Sequence, residues 1–81
     1  MTHVEKGKYQ HYKGKYYEVI DIVRHSETLE ELVLYRALYT SSDFGENALW
    51  VRPKTMFFEH VIIDGIKKPR FKYIPAQSNV R

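Results

Sequence analysis

Turn signals recur about every eight to twelve residues along this chain, with the apolar residues in short runs between them, the spacing expected of a small β sandwich or barrel. The first run, "KYQHY", ends at "KGK" (13–15), where Gly14 can take the positive φ of a tight turn. "YYEVIDIVR" (16–24) is the strongest strand candidate, rich in β-branched and aromatic residues. "ALWVR" (48–52) is stopped by Pro53, and "RPKTMF" suits a short helical turn near 53–57 because proline fits a first helical position. "FFEHVIID" (57–64) runs into a "DG" turn. "RFKYI" (70–74) lies between Pro69 and Pro75, which suits a sheet edge or barrel seam.

Eighty-one residues make one domain, and a chain of this size buries only about 60 to 65% of the surface its unfolded form exposes. Seven Tyr, four Phe and one Trp supply large buried areas from few positions, which lets a small β domain hold together with no cysteine. The lack of cysteine removes disulfides, thiol catalysis and Cys-ligated zinc. The expected division is a β domain over 1–75 and a mobile tail over 76–81, since "AQSNVR" has nothing to bury. No window approaches the roughly 18 uninterrupted apolar residues of a membrane span, and "MTHVEKGKYQ" has no apolar stretch after its charges, so a cytoplasmic protein with no membrane partner is expected.

The segment "HSETLEELVLYRALY" (25–39) reads two ways. Leu, Glu, Ala and Arg favour helix, and Thr28 with Glu31 matches a capping box. On a helical wheel, however, its apolar residues spread around the whole circumference, whereas a surface helix needs one stripe. As a strand, 32–39 puts Val33, Tyr35, Ala37 and Tyr39 on one face. The reading is therefore a turn at 25–30 followed by a strand.

Charge is uneven. Lys6, Lys8, Lys13 and Lys15 stand against Glu5, and after Gly65 come Lys67, Lys68, Arg70, Lys72 and Arg81 with no acid. Over residues 18–31, Glu18, Asp21, Glu27, Glu30 and Glu31 face only Arg24. If the first and last strands are neighbours, one side of the molecule is basic.

At "HYKGKYYEV", "HSETLEELVLYRALY", "LWVRPKTMF" and "DGIKKPRFKYI" the chain resembles a bacterial family, domain of unknown function 1653, from about Gly7 to Ile74. The resemblance implies a small β-rich domain, found alone or appended to an enzyme, with no established activity and so no catalytic role to carry over. In the family the connection before the Trp is shorter, and this chain inserts "TSSDFGENA" within the 40–48 loop.

His25 and Glu27 form the H-x-E of zinc deaminases, but the P-C-x-x-C those sites need is missing. There is no H-E-x-x-H and no phosphate-binding glycine loop, and a metal site from His11, His25, His60 and Glu27 would have to assemble from three separate elements. The structural reading has Ser26 and Thr28 capping the turn, His25 donating to a carbonyl, and Glu27 solvated. No metal or other cofactor is expected.

Aromatic and basic residues interleave more informatively. Tyr9, His11, Tyr12, Lys13, Lys15 and Tyr16 alternate through the first hairpin, and Arg52 and Arg70 could extend that surface. Planar ligands stack on rings while Lys and Arg neutralise phosphate. A half-buried strand with rings inside and lysines outside produces the same alternation. Trp50 reads as core, or as lining a cavity with Tyr35 and Arg36.

The expectation is a mainly all-β fold, a small antiparallel β-barrel or strongly bent sheet of SH3-like type. It acts as a non-enzymatic binding module for an anionic or aromatic ligand, nucleotide or nucleic acid first. One alternative is a small enzyme or accessory domain with a polar pocket from His11, His25, Glu27, Tyr35, Arg36 and Trp50. Another is a protein interaction module, pairing an exposed edge strand with a protein partner or with a second copy in a homodimer.

Overall fold

The structure is a computed structural model and describes residues 4–75; the tail expected to be mobile, 76–81, lies outside them. The elements are β1 (Gly7–His11), β2 (Tyr16–Arg24), β3 (Glu31–Ala37), β4 (Thr40–Ser41), β5 (Gly45–Glu46), β6 (Leu49–Pro53), α1 (Lys54–Phe57), β7 (His60–Ile63), β8 (Ile66–Pro69) and β9 (Phe71–Tyr73). Five strands form an antiparallel sheet in the order β6-β3-β2-β1-β9, and β4–β5 and β7–β8 pair as separate hairpins. The first and last strands are indeed neighbours, with Tyr9 opposite Tyr73 and His11 opposite Phe71.

The segment 31–37 is a strand, as the apolar pattern required, and Val33, Tyr35 and Ala37 point inward with 5% exposure or less. Their partner strand carries a bulge that sequence alternation did not anticipate. Val19 faces Tyr35, but the next partner of Leu34 is Asp21, so Ile20 is the extra residue. The parity of β2 changes there. Tyr17 and Val19 face inward before it and Ile22 after it, so Asp21 stays exposed and accepts the Ile22 N–H on Oδ1 at 2.8 Å. Without the bulge, strict alternation would aim Asp21 at the core.

The inner face is closed by α1. Pro53, at φ −51° and ψ 137°, turns the chain out of β6 into this single turn, and Phe57 follows with no exposure. Its ring lies flat on Phe71 with centroids 4.1 Å apart, and it meets Tyr9 and Tyr35 edge-on at 5.4 and 5.3 Å. These rings, with Val19 and Val33, are the core. Large aromatics replace the many aliphatic residues a bigger domain would use.

Two expectations are corrected. The run 57–64 is not one strand, because Phe57 ends the helix and pairing starts only at His60. The turn after it does form at Asp64 and Gly65, both at positive φ (52° and 77°), and it returns into β8, which sequence reading left out. Among the described residues no ladder joins β6 to β9, so no closed barrel is found among them. The chain between those two strands is taken up by α1 and by a hairpin that pairs with itself.

Candidate functional site

The inner face is sealed where α1 covers it and open at the β1–β2 turn, and cationic and phenolic groups gather at the open end. His11 leaves β1 on the inner side, its ring edge-on to Phe71 at 4.9 Å and stacked beside Tyr12 at 4.5 Å. Its Nδ1 accepts the Lys13 N–H at 3.1 Å, so the neutral ring carries its proton on Nε2. That N–H meets no acceptor among the described residues. Burial, then the positive charges of Arg70, Arg52 and Lys13, holds the His11 pKa below the usual imidazole value. Three cations therefore converge on one imidazole.

Arg52 reaches the same place from β6. Its guanidinium lies 5.8 Å from the Phe71 ring centre, and Nε approaches the Tyr35 hydroxyl at 3.5 Å, a long contact. No carboxylate pairs with it among the described residues. Arg70 gives Nη2 to Glu59 at 3.1 Å while its Nε is buried and unpaired. The hydroxyls of Tyr17 and Tyr39 are 2.8 Å apart. Burial, followed by that hydrogen bond, keeps Tyr17 protonated well above the normal phenol range, with Arg52 acting in the opposite sense.

Rings flank the cations. Lys15 lies over Tyr39 at 4.6 Å. Trp50, opposite Tyr35 and so on the same side of the sheet, is 37% exposed and meets the exposed Phe44 edge-on at 5.0 Å. The expectation of a core Trp50 is thus corrected: the β4–β5 hairpin carries only Phe44 to it and leaves its other surface open. On the other flank of His11 an open cleft of about 440 Å³ is lined by Gln10, His11, Tyr12, Lys68, Pro69 and Lys72, with no acid among them.

Of the residues the sequence nominated for ligand binding, His11, Lys13, Lys15, Arg52 and Arg70 gather here. Tyr9 does not serve as a ring face, since it is 3% exposed and gives its hydroxyl to the Glu5 carbonyl at 2.8 Å. Tyr16 points to the outer face, where Lys8 covers it at 4.4 Å, while Tyr12 stays exposed at the turn. Tyr17, Tyr39 and Phe44 were missed. Strict alternation along β2 from the turn would have shown that Tyr17, not Tyr16, shares the face of His11.

The alternative polar pocket does not assemble. Tyr35 and Arg36 are adjacent in β3 and face opposite ways, and Arg36 lies 3.4 Å from Glu18 on the outer side. His25 and Glu27 sit exposed in the β2–β3 turn, beyond the Arg24–Glu31 pair, on the order of 20 Å along the strands at about 3.3 Å per residue. His25 does close its corner, but as an acceptor, opposite to the expected donor role. Its Nδ1 takes the N–H of Glu27 at 3.1 Å and of Thr28 at 3.3 Å, and Thr28 Oγ1 takes that of Glu30. Among the described residues no three His, Asp or Glu side chains come together as metal ligands, and no helix is long and apolar enough to cross a membrane.

A short antiparallel sheet roofed by one helical turn, with basic and aromatic groups at its open end, defines a small β domain. The chain belongs to the DUF1653 family, described as a protein of unknown function, whose model matches residues 7–73. A crystal structure of a DUF1653 protein from Bordetella bronchiseptica superposes with a TM-score of 0.81 at 28% identity, covering 95% of both chains. No curated protein matches the chain.

Proposed function

We propose that this domain is a non-enzymatic binding module whose ligand is both anionic and aromatic, a nucleotide or single-stranded nucleic acid. The observation that carries the reading is that Arg52 and His11 meet on the Phe71 ring and the Lys13 N–H binds His11, with the charge of Arg70 also acting on that imidazole and Glu59 the one carboxylate paired to any of these cations among the described residues. Uncompensated cations repel one another, and an anion relieves that cost. The exposed rings of Tyr12, Trp50 and Phe44 beside the cluster offer faces on which a base can stack. The scaffold in this reading is a strongly bent, SH3-like sheet, and the compartment is the cytoplasm, where nucleotides are abundant.

The test is a fluorescence titration with a labelled mononucleotide and a labelled oligothymidylate at about 50 and 200 mM salt, since phosphate contacts lose affinity as salt rises. Weaker binding at high salt, and further loss in a Lys13→Ala/Lys15→Ala variant, is expected. Salt-independent binding, or binding unchanged in that variant, removes the reading.

A further inference from the structure

We infer that Arg52, His11 and the hydroxyls of Tyr17, Tyr35 and Tyr39 form a subsite for a phosphate monoester dianion, making the ligand a mononucleotide rather than a polymer. This inference rests on the ligand class proposed above and adds which part of the ligand binds where. The cluster holds more hydrogen-bond donors than its own hydroxyl acceptors use, and no carboxylate is paired with Arg52 or His11 among the described residues. Arg52 spends Nε on Tyr35 and has no partner for its terminal nitrogens among the described residues. The planar fork of guanidinium donors matches phosphate oxygens in pairs. His11 presents Nε2–H because Nδ1 is already occupied by the Lys13 backbone. Of the Tyr17 and Tyr39 hydroxyls, whichever accepts from the other keeps its own proton to give away, and Tyr35, accepting from Arg52, keeps its proton too.

Charge selects the dianion. Arg52, Arg70 and Lys13 bring three fixed positive charges around His11, and Glu59 offsets one, leaving a surplus near two. A terminal phosphate carries close to two negative charges at neutral pH, whereas each internal diester carries one. Half-burial strengthens the selection, because Arg52, His11, Tyr17 and Tyr39 are each partly shielded from water. The base then falls toward Trp50, two residues from Arg52 on the same side of β6, about 7 Å away, or toward Tyr12 on the other flank of His11.

The full chain is titrated by calorimetry with AMP, adenosine, inorganic phosphate and octathymidylate, using wild type, Arg52→Gln, Arg52→Lys and, as an outer-face control, Lys8→Gln. AMP is expected to bind at least tenfold more tightly than adenosine, with octathymidylate no tighter than AMP. Arg52→Gln should erase the preference for AMP, Arg52→Lys should reduce it, and Lys8→Gln should leave it. Arg52→Lys keeps the charge and most of the packing, so it stands in if Arg52→Gln does not fold. Equal binding of AMP and adenosine, or a preference for AMP that survives both Arg52 variants, overturns the subsite, and tighter binding of octathymidylate overturns the mononucleotide assignment. Arg52-dependent binding of inorganic phosphate with no gain from the nucleoside keeps the subsite and refutes the aromatic ligand. Absence of binding by all four probes refutes both.

Discussion

Replacing Phe57 with alanine tests the packing on which the candidate site depends. Phe57 has no exposed surface and contacts Phe71 face-on and Tyr9, Tyr35 and Phe58 edge-on, with centroids between 4.1 and 5.4 Å. Phe→Ala in a packed core costs about 3 to 5 kcal/mol. The upper part of that range applies here, because ring pairs add about 0.5 to 1.5 kcal/mol beyond area burial. A domain of this length has roughly 4 to 12 kcal/mol in total at about 0.05 to 0.15 per residue. The variant should therefore lose a third or more of its stability, lowering Tm by about 16 to 40 °C at about 4 to 8 °C per kcal/mol. Urea denaturation followed by circular dichroism reads the change as a lower midpoint at constant slope. Because Phe71 carries both His11 and Arg52 on its ring, ligand affinity should fall in the same variant. A loss under about 1 kcal/mol would show that α1 does not roof the sheet and that Phe71 does not hold His11 and Arg52 in place.

Other consequences are as direct. The pKa of His11 lies below its unfolded value, so its neutral form favours the fold. The associated stability is present above about pH 6.5 and lost as pH falls through the lower folded value. His11→Gln should flatten stability against pH in that window, and an unchanged slope in urea melts between pH 5 and 7.5 would refute the burial assigned to it. Gly65→Ala should cost about 1 to 2 kcal/mol, because φ is 77° there and nothing lies within 4 Å of the added Cβ, leaving backbone strain as the main cost; thermal melts check it. Tyr17→Phe should cost about 1 kcal/mol by removing the bond to Tyr39, and a neutral result in the same melts would count against that bond. His25→Ala should loosen only the 25–30 corner, accelerating amide exchange at Glu27 and Thr28 without moving Tm by more than a few degrees.

Much of the architecture was legible because period-two patterning carries through β3, because β-branched and aromatic residues crowd β2, and because glycine and proline punctuate the chain where it turns. Val33, Tyr35 and Ala37 were placed correctly on one face by that pattern alone. What escaped was set by tertiary context. The bulge at Ile20 has no glycine to announce it. Phe57 is as good a strand former as a helix former, and only the rings of Phe71, Tyr9 and Tyr35 decide its place. β8 is made of "IKKP", in which Ile66 alone favours a strand, and it is a strand because the Asp64–Gly65 turn holds it against β7. At the site, the cations of the first hairpin and of β6 were readable from composition. Tyr9 and Tyr16 were not, since interleaved rings look alike in sequence whether a strand turns them to the core, the outer face or the ligand.

The most direct test of the central claim is a 1H–15N correlation spectrum of the full chain titrated with AMP. Shifts are expected on the amides of His11, Lys13, Tyr17, Tyr39, Trp50, Arg52 and Phe71, with Leu34 and Val51 on the outer face unmoved. Shifts centred on Leu34 and Val51, or a spectrum unchanged at millimolar AMP, would contradict that claim.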